Sequence, residues 1–139
     1  MTFLTDRLVE MRRHLVHLYE VRRRVPDAQT LLADMSLHND VMFSLWYVSQ
    51  SVIDIAGELA GRRGLRFQDY GEAVRSLAKM QEFPRALVDR LVGVAGFRNV
   101  VIHEYLALDY HRVVLALNDL SAIEEFGHIV EKLEEQTGV

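Results

Sequence analysis

The chain has 139 residues, half of them hydrophobic and 26% charged, with a formal net charge of −4. This is the size and composition of one globular domain, spanning 1–139, and it excludes a disordered chain. The absence of cysteine excludes disulfides, zinc ribbons, thiolate catalysis and iron–sulfur clusters.

No run of about 18 apolar residues exists, so no membrane span is expected. The start, Thr2-Phe3-Leu4-Thr5-Asp6-Arg7, has an early acid and no apolar core, so no signal peptide is expected and a cytoplasmic location follows. An acidic balance offers nucleic acid no global attraction. The basic residues are nearly all arginine, with Lys79 and Lys132 the exceptions, and they cluster at Arg12-Arg13, Arg22-Arg23-Arg24 and Arg62-Arg63. Each cluster reads either as solvated helix surface or as a local RNA-binding face.

Taken in chain order, the apolar positions point to helices. Leu8, Met11, Leu15, Leu18 and Val21 form one stripe, which predicts a helix from about Asp6 to Arg24, ended by Pro26. Asp27 is placed to cap a short helix through Leu31 and Leu32. A long helix follows from Ser36–Asp40 to Gly61, with the stripe Val41, Leu45, Val48, Val52, Ile55 and Leu59. Gly61 and Gly64 supply its stop. Trp46 and Tyr47 lie off that stripe, where they cover a second helix or a partner. Arg63 to Tyr70 is a polar connection, and Gly71 to Met80 a short helix. Pro84 opens a helix reaching about Tyr105, and the final helix runs from about Asp109 to Glu135 through Val113, Leu117, Leu120, Ile123, Phe126, Val130 and Leu133. No segment alternates with period two. The expectation is an all-α, up-and-down four-helix bundle with one or two additional short helices.

The chemistry concentrates in Gly96-Phe97-Arg98-Asn99-Val100-Val101-Ile102-His103-Glu104-Tyr105. Arginine offers a permanent planar cation suited to phosphate, and histidine can move a proton near neutral pH. Asn99 and His103 are one turn apart and can touch. Arg98 and Tyr105 fall within about 20° of each other on a regular helix, whereas Arg98 and His103 lie about 140° apart. A long arginine reaching round, a distorted helix end, or a site shared across a two-fold dimer would reconcile the last pair, and the dimer is favoured. The same spacing occurs again at Arg12, His17 and Tyr19, so spacing alone selects neither copy. Gly93 and Gly96 permit close backbone approach, either of a neighbouring helix or of a second protomer. His14 and His17 could share a metal, but no carboxylate–histidine partner pair appears, so no metal site is expected. Glu58 on the long helix reads as a buried or cleft acid or, by preference, as part of a solvated face.

Flanking residues choose between the two copies. Gly96-Phe97-Arg98-Asn99 with His103-Glu104-Tyr105 resembles the Arg-x4-His-x-Tyr motif of the HEPN superfamily, with its polar residue directly after the arginine. The motif falls on the helix before the last long one, as in the HepT-like toxins of HEPN–nucleotidyltransferase toxin–antitoxin pairs (HepT/MntA). Ile53-Asp54-Ile55-Ala56 on the central helix and Tyr70-Gly71-Glu72 are similar too, so the resemblance covers most of the chain. The early copy has Arg13 after its arginine and lies on the wrong helix, so it is a coincidence.

The resemblance implies a dimeric, metal-independent endoribonuclease without a cofactor, the toxin of a type VII-like pair. Arg98 would stabilise the phosphate, His103 would act as general acid or base, and Asn99 would position the phosphate or orient His103. Tyr105 would accept AMP from a partner nucleotidyltransferase (an MNT-domain antitoxin). The implied partners are RNA, that antitoxin and a second copy of the chain, with no membrane or DNA. The alternative is a non-catalytic HEPN-like helical binding module that assists a nucleotidyltransferase. A neighbouring nucleotidyltransferase gene would support either and disfavour a plain helical assembly protein.

Overall fold

A computed structural model describes residues 2–103 and 108–137, except the side chains at 100, 102, 103 and 137. Among the described residues there are seven α-helices and no strand. They are α1 (Phe3–Val21), α2 (Ala28–Ala33), α3 (Met35–Arg62), α4 (Tyr70–Arg75), α5 (Arg85–His103), α6 (Tyr110–Leu117) and α7 (Ser121–Thr137). Single 3₁₀ turns follow α1, at Arg22–Arg24, and α4, at Ser76–Lys79. The expected all-α bundle of four long helices is therefore present, as α1, α3, α5 and α7.

Short polar side chains set the helix starts. Thr2 accepts from the Thr5 N–H, Asp27 from Thr30, Asp34 from Leu37 and Asp69 from Glu72. The Thr2 cap starts α1 three residues before the position its apolar stripe suggests. At the end of α3, Gly64 adopts φ +71°, and Leu65 N–H returns to the Ala60 carbonyl at 2.9 Å. That left-handed residue closes the helix where glycine is tolerated best.

The expected final helix is two helices. After Leu117 the chain breaks at Asn118-Asp119-Leu120, and the N–H groups of Ile123 and Glu124 restart on the Leu120 carbonyl. Asn and Asp favour such breaks because their side chains compete with the helical backbone. Arg90 of α5 holds this one in place, donating from Nη2 to Asp119 and, at 2.8 Å, to the Ser121 hydroxyl. The apolar stripe survives the break, with Val113, Leu117, Leu120, Ile123, Phe126 and Val130 all buried. Periodicity reports which side faces the core, and this three-residue break leaves it in phase.

Both α3 and α7 run antiparallel to α1. Arg7, His14 and His17 meet Asp54, Ser44 and Asp40 in descending order. Likewise Thr2, Arg12 and Tyr19 meet Glu134, Glu131 and Glu124. The core stripes of α1 and α3 are buried at every position named from the sequence. Trp46 and Tyr47 cover α1 in part: Tyr47 stacks on His14 with ring centroids 4.1 Å apart, and Trp46 packs between Phe43 and Tyr47. No helix among the described residues is long and apolar enough to cross a membrane.

Candidate active site

Arg98 sits half-buried on α5, on the side turned toward α3 and α4. Its Nε donates to Oε1 of Gln50 at 2.7 Å, and its Nη1 donates to Oδ1 of Asn99 at 3.0 Å. The guanidinium lies over the Tyr70 ring, 4.9 Å from its centroid. Gln50 is oriented in turn, since its Nε2 donates to Oδ1 of Asp54, one turn along α3, at 2.9 Å. The other oxygen of Asp54 faces Nη1 of Arg7 at 3.6 Å. A polar relay thus runs from α1 through α3 to α5.

The chemistry of this anchor matters more than its length. Arg7, Arg12, Arg13, Arg62, Arg63 and Arg90 each meet a carboxylate. Arg98 meets none among the described residues, because a neutral amide stands between it and Asp54. Among the described residues its charge is uncompensated, while its position is fixed by two hydrogen bonds and a ring. Its remaining N–H groups are left for an external anion.

The histidine half of the motif is placed only by its backbone. α5 is helical from Arg85 through His103, so no distortion of the helix up to that residue turns His103 toward Arg98. Nor does the Arg98 side chain swing round α5, since it points to Gln50 and Asn99. Tyr105, and with it the expected alignment of Arg98 and Tyr105, lies outside the described residues, as does Glu104. Gly93 and Gly96 approach no neighbouring helix, because a Cβ on either would meet nothing within 4 Å. A groove of 210 Å³ between α3, α5 and α6 is lined by Gly93 and Phe97 and leaves out Arg98 and Asn99.

The second motif copy is taken apart by the fold. Arg12 pairs with Glu131, His17 bonds Asp40 at 2.8 Å, and the Tyr19 hydroxyl donates to Glu124 at 2.6 Å. His14 bonds Ser44 rather than joining His17. These are contacts that clamp α1 to its neighbours. Burial first, then the bond to Glu124, push the Tyr19 hydroxyl pKa up to about 12. An unfolded tyrosine titrates near ~10, so between these values the unfolded chain releases a proton that the folded chain keeps. The contribution of Tyr19 to stability is therefore full below pH ~10 and is lost as pH rises toward 12. Tyr19→Phe is expected to flatten the decline in urea midpoint between pH 9.5 and 11.5. An unchanged slope would contradict this assignment.

Sequence reasoning identified Arg98 and Asn99 but gave no role to Gln50, Arg7 or the Tyr70 ring. A signal for Gln50 was present. It is a long polar side chain on α3 opposite the apolar stripe, one turn before Asp54. Glu58 is the solvated acid expected, 3.6 Å from Arg62 on the next turn.

Known proteins agree with this architecture. The family model described as "Ribonuclease HepT-like" matches residues 13–133. No curated protein matches the chain by sequence. Among solved structures, a tri-AMPylated Shewanella oneidensis HEPN toxin in complex with MNT antitoxin is 22% identical, with a TM-score of 0.81 over 95% of this chain and 99% of that one. A mutant of an MntA–toxin complex gives a TM-score of 0.82 at 21% identity, over 94% and 99% of the two chains. A cytosolic Bacillus subtilis protein of unknown function, YutE, gives 0.76 at 12% identity, over 96% and 92%.

Proposed function

Because the chain belongs to the HepT-like ribonuclease family, we propose that it is the toxin of a toxin–antitoxin pair, a metal-independent endoribonuclease that a partner nucleotidyltransferase silences. The observation that carries this reading is the cation of Arg98, held by Gln50, Asn99 and the Tyr70 ring and facing no carboxylate among the described residues. A phosphodiester gains negative charge as its phosphorus becomes five-coordinate, and a fixed guanidinium stabilises that state more than the ground state. Asn99, bonded to Arg98, positions the phosphate. His103 takes the proton from the ribose 2′-hydroxyl or gives one to the departing 5′-oxygen, and solvent water handles the other transfer. The 2′-oxygen bonds to phosphorus, the bond to the 5′-oxygen breaks, and the products are a 2′,3′-cyclic phosphate and a 5′-hydroxyl.

One protomer supplies only part of this site. Arg98 and His103 lie about 140° apart around a regular helix, and α5 is regular through both. The open surface at Gly93 and Gly96 leaves room for a second copy, whose His103 would complete the cleft. AMP on Tyr105 would place an anion and a base near the cleft and exclude RNA. The nucleotidyltransferase complexes of the structural neighbours support such a partner.

The test uses the purified chain in EDTA. Wild type is expected to cut single-stranded RNA, and His103→Ala to lose at least ~10²-fold in kcat. Activity should follow dimer concentration in sedimentation. ATP and the cognate nucleotidyltransferase should add AMP mass to wild type and none to Tyr105→Phe at that position. Failure of wild type to cut any RNA, with AMP transfer intact, would leave the binding-module reading in its place.

A further inference from the structure

We propose that the groove between α4 and α5, continued by the Tyr70 ring, is a track for single-stranded RNA that delivers the strand to Arg98; this rests on the ribonuclease reading. Charge is distributed unevenly in the chain. Residues 62–98 hold eight Arg or Lys against four Asp or Glu, a local +4 within a chain of net −4. The arginine clusters legible in the sequence are largely engaged: Arg12 and Arg13 meet Glu131 and Glu10, Arg62 and Arg63 meet Glu134 and Glu82, and Arg22 covers Tyr19. By contrast, Arg66, Arg75, Lys79 and Arg85 make no ion pair among the described residues. Three of the four acids in this stretch are occupied, since Asp69 caps α4, Glu72 accepts the Gln68 N–H and Glu82 holds Arg63; the fourth, Asp89, lines the groove and makes no ion pair among the described residues.

Two of these cations, Arg75 and Arg85, lead toward the site. Arg98 lies over Tyr70, and Gly71 follows in the chain. The Arg75 guanidinium folds back beside Gly71, so close that a Cβ there would stand 3.3 Å from Nη1. From Arg75 a groove of 340 Å³ leads to Arg85, lined also by Ala78, Val88, Asp89 and Val92. Phe67 and Tyr70 are 38% and 45% exposed; Tyr70 lies under Arg98, and Phe67 packs beside Gly57 of α3. Cations interleaved with exposed rings suit a flexible strand, whose phosphates meet the cations while its bases stack. An acidic protein surface would use the charges but not the rings.

The test measures binding of a labelled single-stranded RNA 12-mer in the His103→Ala background, where the strand stays intact. Arg75→Gln with Arg85→Gln is expected to weaken binding by about 10-fold and to lower the salt slope by roughly 1.4, as two lost single-strand phosphate contacts require. In the active protein the same pair should raise KM for long RNA and leave dinucleotide cleavage unchanged. Arg23→Gln with Arg24→Gln removes equal charge from exposed positions in the 3₁₀ turn after α1 and should change binding less than 2-fold. Equal losses in both pairs would show a net-charge effect and overturn the track, as would intact RNA binding with loss of nucleotidyltransferase capture in the Arg75/Arg85 pair. If wild type cuts RNA and the Arg75/Arg85 pair binds and cuts like it, the track alone falls. If wild type neither binds nor cuts, the ribonuclease reading falls with it. All four residues are exposed, and unchanged melting temperatures will verify the folds.

Discussion

Arg98→Ala is expected to lower RNA cleavage by ~10²–10³-fold in kcat, the loss that follows removal of one preorganised oxyanion donor. Arg98→Lys keeps the charge but not the fork, so it forfeits the bonds to Gln50 and Asn99 and the flat stack on Tyr70. It should recover less than about a tenth of the lost rate. Gln50 separates placement from charge. Gln50→Ala frees the guanidinium to wander, and a misplaced group costs rate even though it touches no substrate; a loss of about 10-fold, mainly in kcat, is expected. Gln50→Glu keeps the shape but puts a carboxylate against Arg98, one turn from Asp54. It should weaken RNA binding as well as rate, because the cation is then compensated before the phosphate arrives. If Gln50→Glu cleaves as well as wild type, the neutral anchor has no catalytic meaning. If Arg98→Ala retains more than a tenth of the activity, the site lies elsewhere.

The parts of this site that sequence could show are those that repeat with a helical period or recur as a motif. The stripe of α3 from Val41 to Leu59 was legible because burial selects apolar residues every three or four positions. Arg98 and Asn99 were legible because their neighbours resemble a family motif. Gln50, Asp54 and Arg7 act through contacts between helices, at sequence separations that no local window spans. The same limit produced the second motif copy. Arg12, His17 and Tyr19 share the spacing, yet each side chain is drawn to a different acid once α3 and α7 are packed against α1. The break at Asn118-Asp119 was missed for a related reason. Those residues are tolerated in helices, and Arg90 from another helix helps decide that here the chain turns.

The largest loss of stability is expected at Phe126→Ala. Phe126 is fully buried on α7, and its ring lies 5.9 Å from that of Phe83, ahead of α5. Removing it leaves a cavity where α5 and α7 meet, at a cost of about 3–5 kcal/mol. Against a typical stability of roughly 5–15 kcal/mol this is a large fraction, and it corresponds to a fall in Tm of about 10–20 °C for a chain of this size. Phe43→Ala is the counterpart on the surface. That ring is 54% exposed, so its loss should stay below about 1 kcal/mol. Urea unfolding should show the Phe126 midpoint falling with the slope unchanged. Midpoints equal for the two variants would contradict the packing described for α5 and α7. The Arg98 relay is built from α1, α3, α4 and α5, whereas Phe126 belongs to α7. Phe126→Ala should therefore retain most of its cleavage rate per folded molecule well below its midpoint, while Arg98→Ala loses rate at every temperature with its midpoint nearly intact.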